Sequence, residues 1–394
     1  MTTRFTGSFT QQEPIPEDAI EAAVAVMRSG RLHRYNLADG EEGEVSALER
    51  EFADYMGSRY CLAVASGGYA ICTALRAMGV GHGDRVLTNA FTLAPVPGAI
   101  ASVGAVPVLV EVTEDLVIDL DDLAAKAGEA DVLVLSHMRG HLCDMDRLME
   151  ICDGAGIGVI EDCAHTMGAR WRGVLSGRHG AMACYSTQTY KHMNSGEGGL
   201  LVSDDADLMA KAVLLSGSYM LYPRHGAAPG PEAFEGIVLD TPNISGRMDH
   251  LRAAILRPQL ARLDAQCAAW TERYREVERC LAGIPGLVLP GRPQAEAFVG
   301  SSIQFLLPDR SGAELQAFVA ACAARGVELK WFGADKPAGF TSRYDHWRYA
   351  APGALPRTDR VLAGLLDMRL PLTFSLEDCR VIGGILAEEV RRLA

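Results

Sequence analysis

The chain has 394 residues, of which 48% are hydrophobic and 22% are charged, a composition typical of a globular protein with room for two domains. A formal net charge of −13 disfavours non-specific nucleic-acid binding, because such binding needs a basic surface. The N-terminus has no apolar signal segment and no stretch approaches about 18 uninterrupted apolar residues, so we expect a cytoplasmic protein without a membrane span.

The ten cysteines are scattered singly along the chain, and none forms a CxxC pair. Most of them lie inside apolar segments, where a free cysteine behaves as a small core residue. This pattern argues against a zinc ribbon and against a CxxC redox motif, and it indicates a reducing compartment.

The first part of the chain alternates helical and strand patterns. Apolar spacing predicts helices over residues 15–29 and 44–56, and the first has a proline near its start and a glycine beyond its end. A strand over 60–65 leads into SGGYA and a helix that runs to Met78. This order offers backbone N–H groups and a helix N-terminus to a phosphate, although glycines also suit a tight strand-to-helix turn.

The alternation continues to residue 203, with apolar strands separated by helical patterns. Such uninterrupted apolar strands are typical of a mostly parallel sheet that is covered on both faces. Ligands of such sheets bind at the carboxyl ends of the strands. Ser66, Asp162, Ser186 and Lys191 all fall at or just past strand ends, so we expect them to converge on one crevice.

The pattern changes after residue 203. An irregular segment rich in proline and glycine precedes a long helical pattern that begins near Met248, in which Pro258 predicts a kink. The remaining residues show short strands and helices, typical of a smaller α+β domain. We therefore expect an N-terminal helix and a large domain over residues 1–250 and a small domain over 251–394.

Lys191 differs from the other four lysines of the chain. Two of them lie in helical patterns and two in the last third, whereas Lys191 is flanked by small and polar residues at a strand end, where loops usually carry chemistry. Lysine forms Schiff bases with carbonyl compounds, and pyridoxal phosphate also requires a carboxylate beside its ring nitrogen. Asp162, at the end of the apolar run GIGVI, is the candidate for that carboxylate.

Six segments resemble, in order and spacing, the DegT/DnrJ/EryC1/StrS family of sugar aminotransferases, over nearly the whole chain from about Ile20. They are SGGYA, AFTL, HMRGHLCDMD, EDCAHTMGA, YSTQTYKHMNSGEGG and GRMDHLRAAILRPQLARLDA. The acidic pair ED followed by A-H, and later by S-x-x-x-x-K and GEGG, is the specific part. The helix LRPQLARLDAQ is most similar to the branch that acts on keto-cyclitols and to aminohydroxybenzoate synthases.

The resemblance implies a fold type I transferase that works as a homodimer with pyridoxal 5'-phosphate. Its large domain would hold a seven-stranded, mostly parallel sheet flanked by helices, followed by the smaller α+β domain. Lys191 would hold the cofactor through a Schiff base, and Asp162 would keep the ring nitrogen protonated, which makes the ring a better electron sink. His165 would hydrogen-bond the ring hydroxyl.

The resemblance also implies a phosphate site. Gly67, Gly68 and Tyr69 would offer backbone donors to the phosphate, and Ser186 would offer a hydroxyl. The family sends one further residue from the partner subunit, and we expect Asn243 to do so here.

The chain departs from the family pattern in three places. The usual S-G-T-A is S-G-G-Y, so one hydroxyl contact to the phosphate is missing. The partner asparagine of the family aligns with Ser245, although Asn243 is near. The aromatic residue expected after Thr92 is Leu93, which leaves ring stacking to Phe91 or to an aliphatic side chain.

The implied reaction transfers an amino group from L-glutamate or L-glutamine to a ketone of a keto-sugar, which may be nucleotide-linked in this family, or of a keto-cyclitol. Family members that dehydrate carry histidine in place of the lysine, so Lys191 favours transamination. One alternative is a family member that binds the cofactor in a regulatory or structural role without turnover. A nicotinamide dehydrogenase is disfavoured, because no GxGxxG follows the first strand.

Two other groups of residues leave alternatives open. His137, His141 and Cys143 are spaced like metal ligands, but no second cluster completes a four-ligand site, so we assign no metal. Arg34, in the loop after the first helix, could line a site or pack on the surface. The aromatic residues of 331–349 could bind an acceptor, form a core or contact a partner.

Overall fold

The computed structural model describes residues 3–38, 40–339 and 341–393. None of the helices in these ranges is both long and apolar enough to cross a membrane. The strands are β1 (Tyr60–Val64), β2 (Arg85–Asn89), β3 (Val106–Val110), β4 (Val132–Ser136), β5 (Gly158–Asp162), β6 (Arg170–Trp171), β7 (Val174–Leu175), β8 (Met182–Ser186), β9 (Gly199–Ser203), β10 (Glu296–Ala297), β11 (Ser302–Leu306), β12 (Lys330–Trp331) and β13 (Leu365–Arg369). The α-helices are α1 (Glu17–Ser29), α2 (Glu44–Met56), α3 (Gly67–Ala77), α4 (Pro95–Ser102), α5 (Leu120–Lys126), α6 (Met145–Ala155), α7 (Ala206–Val213), α8 (His250–Leu260), α9 (Leu263–Leu281), α10 (Gly312–Ala324), α11 (Pro356–Gly364) and α12 (Leu376–Arg392).

Seven strands form one sheet in the order β1-β9-β8-β5-β4-β2-β3. The pairs from β8 to β3 are parallel, whereas β9 is antiparallel to both of its neighbours. The predicted mostly parallel, seven-stranded sheet is therefore confirmed. Because β1 and β8 both run against β9, the carboxyl ends of β1, β8, β5, β4 and β2 meet at one edge of the sheet.

The sheet is buried on both faces, which explains its uninterrupted apolar strands. In β4, Leu133 and Leu135 face a core shared with α2, α5, α6 and α8, whereas Val132 and Val134 face a second core shared with α3, α4 and α7. Strand geometry produces this alternation, because successive side chains point to opposite faces. The two helical layers hold the strand ends in fixed relative positions.

A separate three-stranded sheet, in the order β11-β13-β12, lies in the C-terminal part of the chain. The apolar side chains of its strands pack with α9, α10 and α12 around Phe305 and Phe318. The N-terminal segment joins this core, because the rings of Phe5 and Phe9 each lie 4.9 Å from that of Phe374. Strand β13 and the short strands β6, β7 and β10 have no counterpart in the sequence predictions.

The predicted kink at Pro258 is wrong in position. Helix α8 runs through Pro258 to Leu260, and the break falls at Arg262, whose N–H donates to the carbonyl of Gln259 in a tightened last turn. Helix α8 packs against α1 and α2, whereas α9 packs against α12 and β11. The division of the chain at residue 250 stays a prediction.

A buried ion pair joins the N-terminal loop to α2. Both terminal nitrogens of Arg34 donate to the carboxylate of Glu49, at 2.8 and 2.9 Å, and His225 lies 3.3 Å from the same carboxylate. Burial opposes ionisation, but the charges of Arg34 and His225 lower the pKa of Glu49 to about 2. Arg34 is thus a buried structural residue and does not line a ligand site.

We expect Glu49→Gln to lower the free energy of unfolding by about 3–5 kcal/mol, because glutamine leaves the buried charge of Arg34 without a counter-charge. Chemical denaturation at neutral pH measures this change. Glu21→Gln, at an exposed position of α1, is the control and should change the value by less than about 0.5 kcal/mol. The folded pKa of Glu49 lies below the ordinary 4.5, so its contribution is present above that pH and disappears as the pH falls toward 2. Equal stability of the two variants would contradict the prediction.

Candidate active site

A cavity of about 330 Å³ lies at the shared edge of the large sheet. Ser136, Asp162 and Ser186 are the last residues of β4, β5 and β8, and Ser66 follows β1. All four line this cavity together with Lys191, which projects from the loop between β8 and β9. The parallel order of the strands thus brings together polar residues that are far apart in the sequence.

The loop that carries Lys191 is anchored at both ends. Its backbone closes on itself through the N–H of Thr187 and the carbonyl of Gly198, 2.9 Å apart. The side chain of Gln259, on α8, accepts from the N–H of Asn194 and donates to its carbonyl, both at 2.8 Å. These contacts hold the lysine in a fixed position above the strand ends.

The amine of Lys191 lies 2.8 Å from Nε2 of His165. Burial and, next, the positive charge of Arg139 lower the pKa of this lysine to about 7, although the negative charge of Asp162 opposes the shift. At neutral pH a substantial fraction of the amine is therefore uncharged, the form that attacks a carbonyl carbon.

Asp162 is buried and held by two hydrogen bonds. The hydroxyl of Ser136 donates to Oδ2 at 3.0 Å, and the N–H of Ala164 donates to Oδ1 at 3.2 Å. Thr92 in turn donates to the Ser136 hydroxyl at 2.7 Å, which orients it toward the carboxylate. Burial raises the pKa of Asp162, and the charge of Lys191 and the two hydrogen bonds act against that rise.

Glu161, the other member of the acidic pair, points away from the cavity into the protein. Its carboxylate accepts from the N–H groups of Gly177, His179 and Gly180, each at 2.8 Å, and from His137 at 3.0 Å. Burial opposes ionisation, yet the hydrogen bonds from the two histidines lower its pKa below the usual range. Glu161 is the residue that pins the 177–180 turn against β5.

The same histidine belongs to a cluster that could in principle hold a metal ion. Ligand atoms of His137, Glu161 and Cys163 lie within 4.8 Å of one another. The carboxylate oxygens of Glu161 already accept four hydrogen bonds, and burial raises the pKa of the Cys163 thiol. A protonated thiol and an occupied carboxylate are poor metal ligands. The structure does not bring His137, His141 and Cys143 together as their sequence spacing suggested. Nε2 of His141 instead lies 2.8 Å from Oε1 of Gln304.

The glycines of SGGYA form the first turn of α3 at the cavity wall. A Cβ on Gly67 would lie 2.9 Å from Cβ of Ser186, so this glycine lets the helix start approach β8. Gly68 also lines the cavity, and the nearest atom to its Cβ position is 3.8 Å away. The N–H of Tyr69 already donates to the Ser66 hydroxyl at 3.1 Å, and the Tyr69 ring turns away to donate to the carbonyl of Ile244 at 2.7 Å.

Phe91 does not line the cavity. It is buried edge-on against Phe332, with ring centroids 5.1 Å apart, in a core that also contains Trp347. The lining residue of this segment is Leu93. For the aromatic residues of 331–349, the alternatives were an acceptor site, a core or a partner contact. Phe332 and Trp347 lie in a core, whereas Tyr349 is 53% exposed.

Asn243 and Ser245 lie outside this cavity, on the far side of Tyr69. Oδ1 of Asn243 is buried without a hydrogen-bond partner within the described chain. The expectation that Asn243 reaches the phosphate of a partner subunit stays a prediction.

Sequence reasoning did not single out several residues that line the cavity. Ser136 could have been predicted from the sequence, because it is a polar residue at the end of an apolar strand. Arg139, Lys330 and Arg369 also line the cavity, but the last two come from the C-terminal sheet, and only the packing of that sheet against the large one brings them there.

The seven-stranded, mostly parallel sheet flanked by helices is the fold of aminotransferases of the α/β class. The chain belongs to the DegT/DnrJ/EryC1/StrS aminotransferase family, whose model matches residues 14–386. The crystal structure of 3-amino-5-hydroxybenzoic acid synthase superposes with a TM-score of 0.82 at 26% sequence identity, over 100% of both chains. The predicted family and fold are thereby confirmed.

Two relatives are similar over part of the chain. The 3-amino-5-hydroxybenzoate synthase of Amycolatopsis mediterranei is 35% identical over 251 residues, 63% of this chain and 62% of the relative. The L-glutamine:scyllo-inosose aminotransferase of Streptomyces griseus is 33% identical over 265 residues, 66% of this chain and 61% of the relative. The matched regions thus span less than two thirds of the length of these relatives.

The two glycines of α3 offer a matched pair of substitutions. We expect Gly67→Ala to lower the free energy of unfolding by about 1–3 kcal/mol, because the new methyl group would collide with Ser186. Gly68→Ala meets no such contact, and alanine favours a helix, so it should be neutral or stabilising by up to about 1 kcal/mol. Thermal or chemical unfolding measures both variants, and similar losses in both would refute the close packing of Gly67 on β8.

The lowered pKa of Lys191 gives a pH dependence. We expect the initial rate of pyridoxal phosphate attachment to the cofactor-free protein to rise with pH and reach half its maximum near pH 7, rather than near the ordinary lysine value of 10.5. Absorbance in the near-visible follows the attachment, and N-acetyl-lysine with the same aldehyde is the control. A protein midpoint equal to that of the free amine would show that burial does not tune Lys191.

Proposed function

We propose that this protein is a pyridoxal 5'-phosphate-dependent aminotransferase that moves an amino group from L-glutamine or L-glutamate to a ketone of a keto-sugar or keto-cyclitol. One observation carries the proposal: a lysine with a lowered pKa and a buried carboxylate face the same cavity at the carboxyl edge of the sheet. The family and the L-glutamine-dependent relative support the reaction type and the donor.

The residues present fit the cofactor. A lysine and a buried carboxylate line the same cavity of about 330 Å³, and Gly67 and Gly68, in the first turn of α3, line it as well. Helix N-termini bind phosphate through free N–H groups, and the hydroxyls of Ser66 and Ser186 lie beside them. Lys191 would bind the aldehyde carbon, Asp162 would face the ring nitrogen, and His165 would contact the ring hydroxyl.

When bound, the cofactor ring supplies an electron sink for loss of a proton from the carbon that bears the amino group. The carboxylate of Asp162, fixed by Ser136 and Ala164, would hold a proton on the ring nitrogen. The amine of Lys191 would move this proton between the carbon that bears the amino group and the carbon of the cofactor's aldehyde group. Its pKa of about 7 suits both steps, because a group that titrates near the working pH both accepts and donates.

The protein is also proposed to work as a homodimer, with Asn243 of each chain directed toward the partner's phosphate. The segment that carries this residue exposes large apolar side chains, namely Met220 at 63%, Leu239 at 86% and Ile244 at 62%. Apolar surface of this kind is often covered by a second subunit. Sedimentation of the purified protein tests the assembly.

The first experiment removes the two groups that carry the proposal. We expect Lys191→Ala to abolish the near-visible absorbance band that pyridoxal phosphate gives with the protein and to reduce amino transfer from L-glutamine by at least about 10³-fold. Asp162→Asn should keep the covalent attachment but reduce transfer by about 10²-fold or more, because the ring nitrogen loses its counter-charge. Lys336→Gln, at an exposed lysine, is the control and should retain both properties.

A normal absorbance band without transfer from L-glutamine or L-glutamate to any ketone of a keto-sugar and keto-cyclitol panel would favour the alternative, a cofactor-binding protein with a regulatory or structural role. An unchanged band and unchanged transfer in Lys191→Ala would remove the proposal altogether.

A further inference from the structure

Three cationic side chains line the cavity beside Lys191. Arg139 lies in the turn after β4, and Lys330 and Arg369 come from β12 and β13 of the C-terminal sheet. We call Arg139, Lys330 and Arg369 the cationic wall. The charges of all three lower the pKa of Lys191, so the wall lies close to the reacting amine.

The strand register explains how the C-terminal sheet builds this wall. Lys330 pairs with Asp367, and Arg369 pairs with Ser302. Residues two apart on a strand face the same side, so Asp367 and Arg369 share the face that is turned to the cavity, whereas Leu366 and Met368 pack into the apolar core behind. The charged residues of β13 are thus placed by the same alternation that buries its apolar ones.

Asp367 is the only buried carboxylate that the wall contacts within the described chain. Its Oδ2 lies 2.9 Å from Nη2 of Arg139, and its Oδ1 accepts from Gln304 at 2.8 Å. In the described residues, neither Lys330 nor Arg369 has a carboxylate within 4.0 Å. Among the described residues, Asp367 therefore forms an ion pair with Arg139, whereas Lys330 and Arg369 have no such partner.

Arg139 has unused hydrogen-bonding capacity. It is 6% exposed, and within residues 3–38, 40–339 and 341–393 its Nε and Nη2 have no hydrogen-bond acceptor in suitable geometry, although Nη2 is close to Asp367. Its backbone adopts φ +56°, a left-handed conformation that a residue with a side chain rarely takes and that costs about 1–2 kcal/mol. Buried donors without acceptors are rare in native structures unless a ligand uses them.

The electrostatics of the wall favour an anion. Burial lowers the pKa of Lys330 to about 8, with Arg139 adding to the effect and Asp367 opposing it. Burial and the charge of Arg139 likewise lower the pKa of Arg369, whose guanidinium lies 3.8 Å from the centre of the Tyr190 ring. A bound anion would relieve this crowding, and planar guanidinium groups match the two oxygens of a carboxylate.

We propose that the cationic wall binds a carboxylate carried by the amino acceptor, so that the acceptor is a cyclic ketone with a carboxylate on its ring rather than a neutral sugar or cyclitol. This inference rests on the proposed function. Donor and acceptor occupy the same space in turn, so a neutral acceptor would leave Lys330 and Arg369 without the counter-charge that the donor's carboxylate supplied.

The test compares two matched ketones, 3-oxocyclohexane-1-carboxylate and its carboxamide, in single-turnover reactions with protein loaded with pyridoxamine phosphate. We expect the carboxylate to bind about 10–100-fold more tightly, because it gains charge-assisted hydrogen bonds that the amide lacks. The difference should appear in the apparent dissociation constant more than in the maximal rate. Arg369→Gln and Lys330→Gln should remove the preference, while Arg360→Gln and Lys336→Gln, at exposed positions, should keep it.

A second measurement does not depend on turnover. Isothermal titration calorimetry with cyclohexanecarboxylate and cyclohexanecarboxamide should show the same preference in the wild type and its loss in Arg369→Gln and Lys330→Gln. Arg139 is left intact in these variants, because its removal would leave Asp367 buried without a partner. Circular dichroism and thermal unfolding check that the variants fold.

The outcomes separate this inference from the proposed function. If neither these ketones nor any member of the keto-sugar and keto-cyclitol panel is aminated but the calorimetric preference holds, the aminotransferase proposal fails and the anion subsite stands. Equal use of the two ketones, or a preference that survives in both variants, would overturn the subsite while leaving the aminotransferase in place. A preference seen only with the donor, for L-glutamate over its α-amide, would overturn the assignment to the acceptor.

Discussion

The burial of Asp162 at the end of β5 is the constraint on which the site depends. A carboxylate removed from water must be compensated by nearby donors or positive charge, and the sheet edge supplies both through Ser136, the N–H of Ala164 and Lys191. The same burial raises the pKa of the acid and lowers that of the lysine, while each charge opposes the shift of the other. The pKa values of Asp162 and Lys191 thus depend on each other and on their shared burial. In a solvated loop, both values would return toward those of the free side chains.

The glycines near the site follow from the same geometry. The start of α3 can reach the edge of β8 only because Gly67 has no side chain, and the GEGG turn can pass beneath it only because Gly199 has none: a Cβ there would lie 2.4 Å from the carbonyl carbon of Ser66. These contacts explain why a Gly-rich turn follows Lys191 as well as β1. Gly67 and Gly199 thus allow two close contacts between α3, β8 and β9 beside the cavity.

The sequence predicted the site residues best where a polar side chain falls at the end of an apolar strand. Asp162, Ser186 and Lys191 are polar residues next to apolar runs, and the parallel order makes their convergence predictable. Tyr69 and Phe91 were less predictable. The N–H of Tyr69 is occupied because the Ser66 side chain turns toward it, and a sequence does not show this rotamer. Phe91 faces away from the cavity because it packs against Phe332, which lies far away in the sequence. Pro258 shows a similar limit, since a proline predicts a weak point in a helix but tertiary contacts decide where the helix ends.

The large sheet and the C-terminal sheet contribute different properties to the cavity. The strand ends of the large sheet carry the lysine, the acid and the open helix start, which together define a type of reaction. The C-terminal sheet carries Lys330 and Arg369, and the guanidinium of Arg369 lies 3.8 Å from the centre of the ring of Tyr190, the residue before Lys191. Substitutions at these two positions therefore change both the charge offered to a substrate and the pKa of Lys191, because both cations help to lower that pKa. In the proposed acceptor site, β12 and β13 supply two of the three cations, and the turn after β4 of the large sheet supplies the third. All three also lower the pKa of Lys191, so recognition of a charged substrate and the reactivity of the lysine are linked.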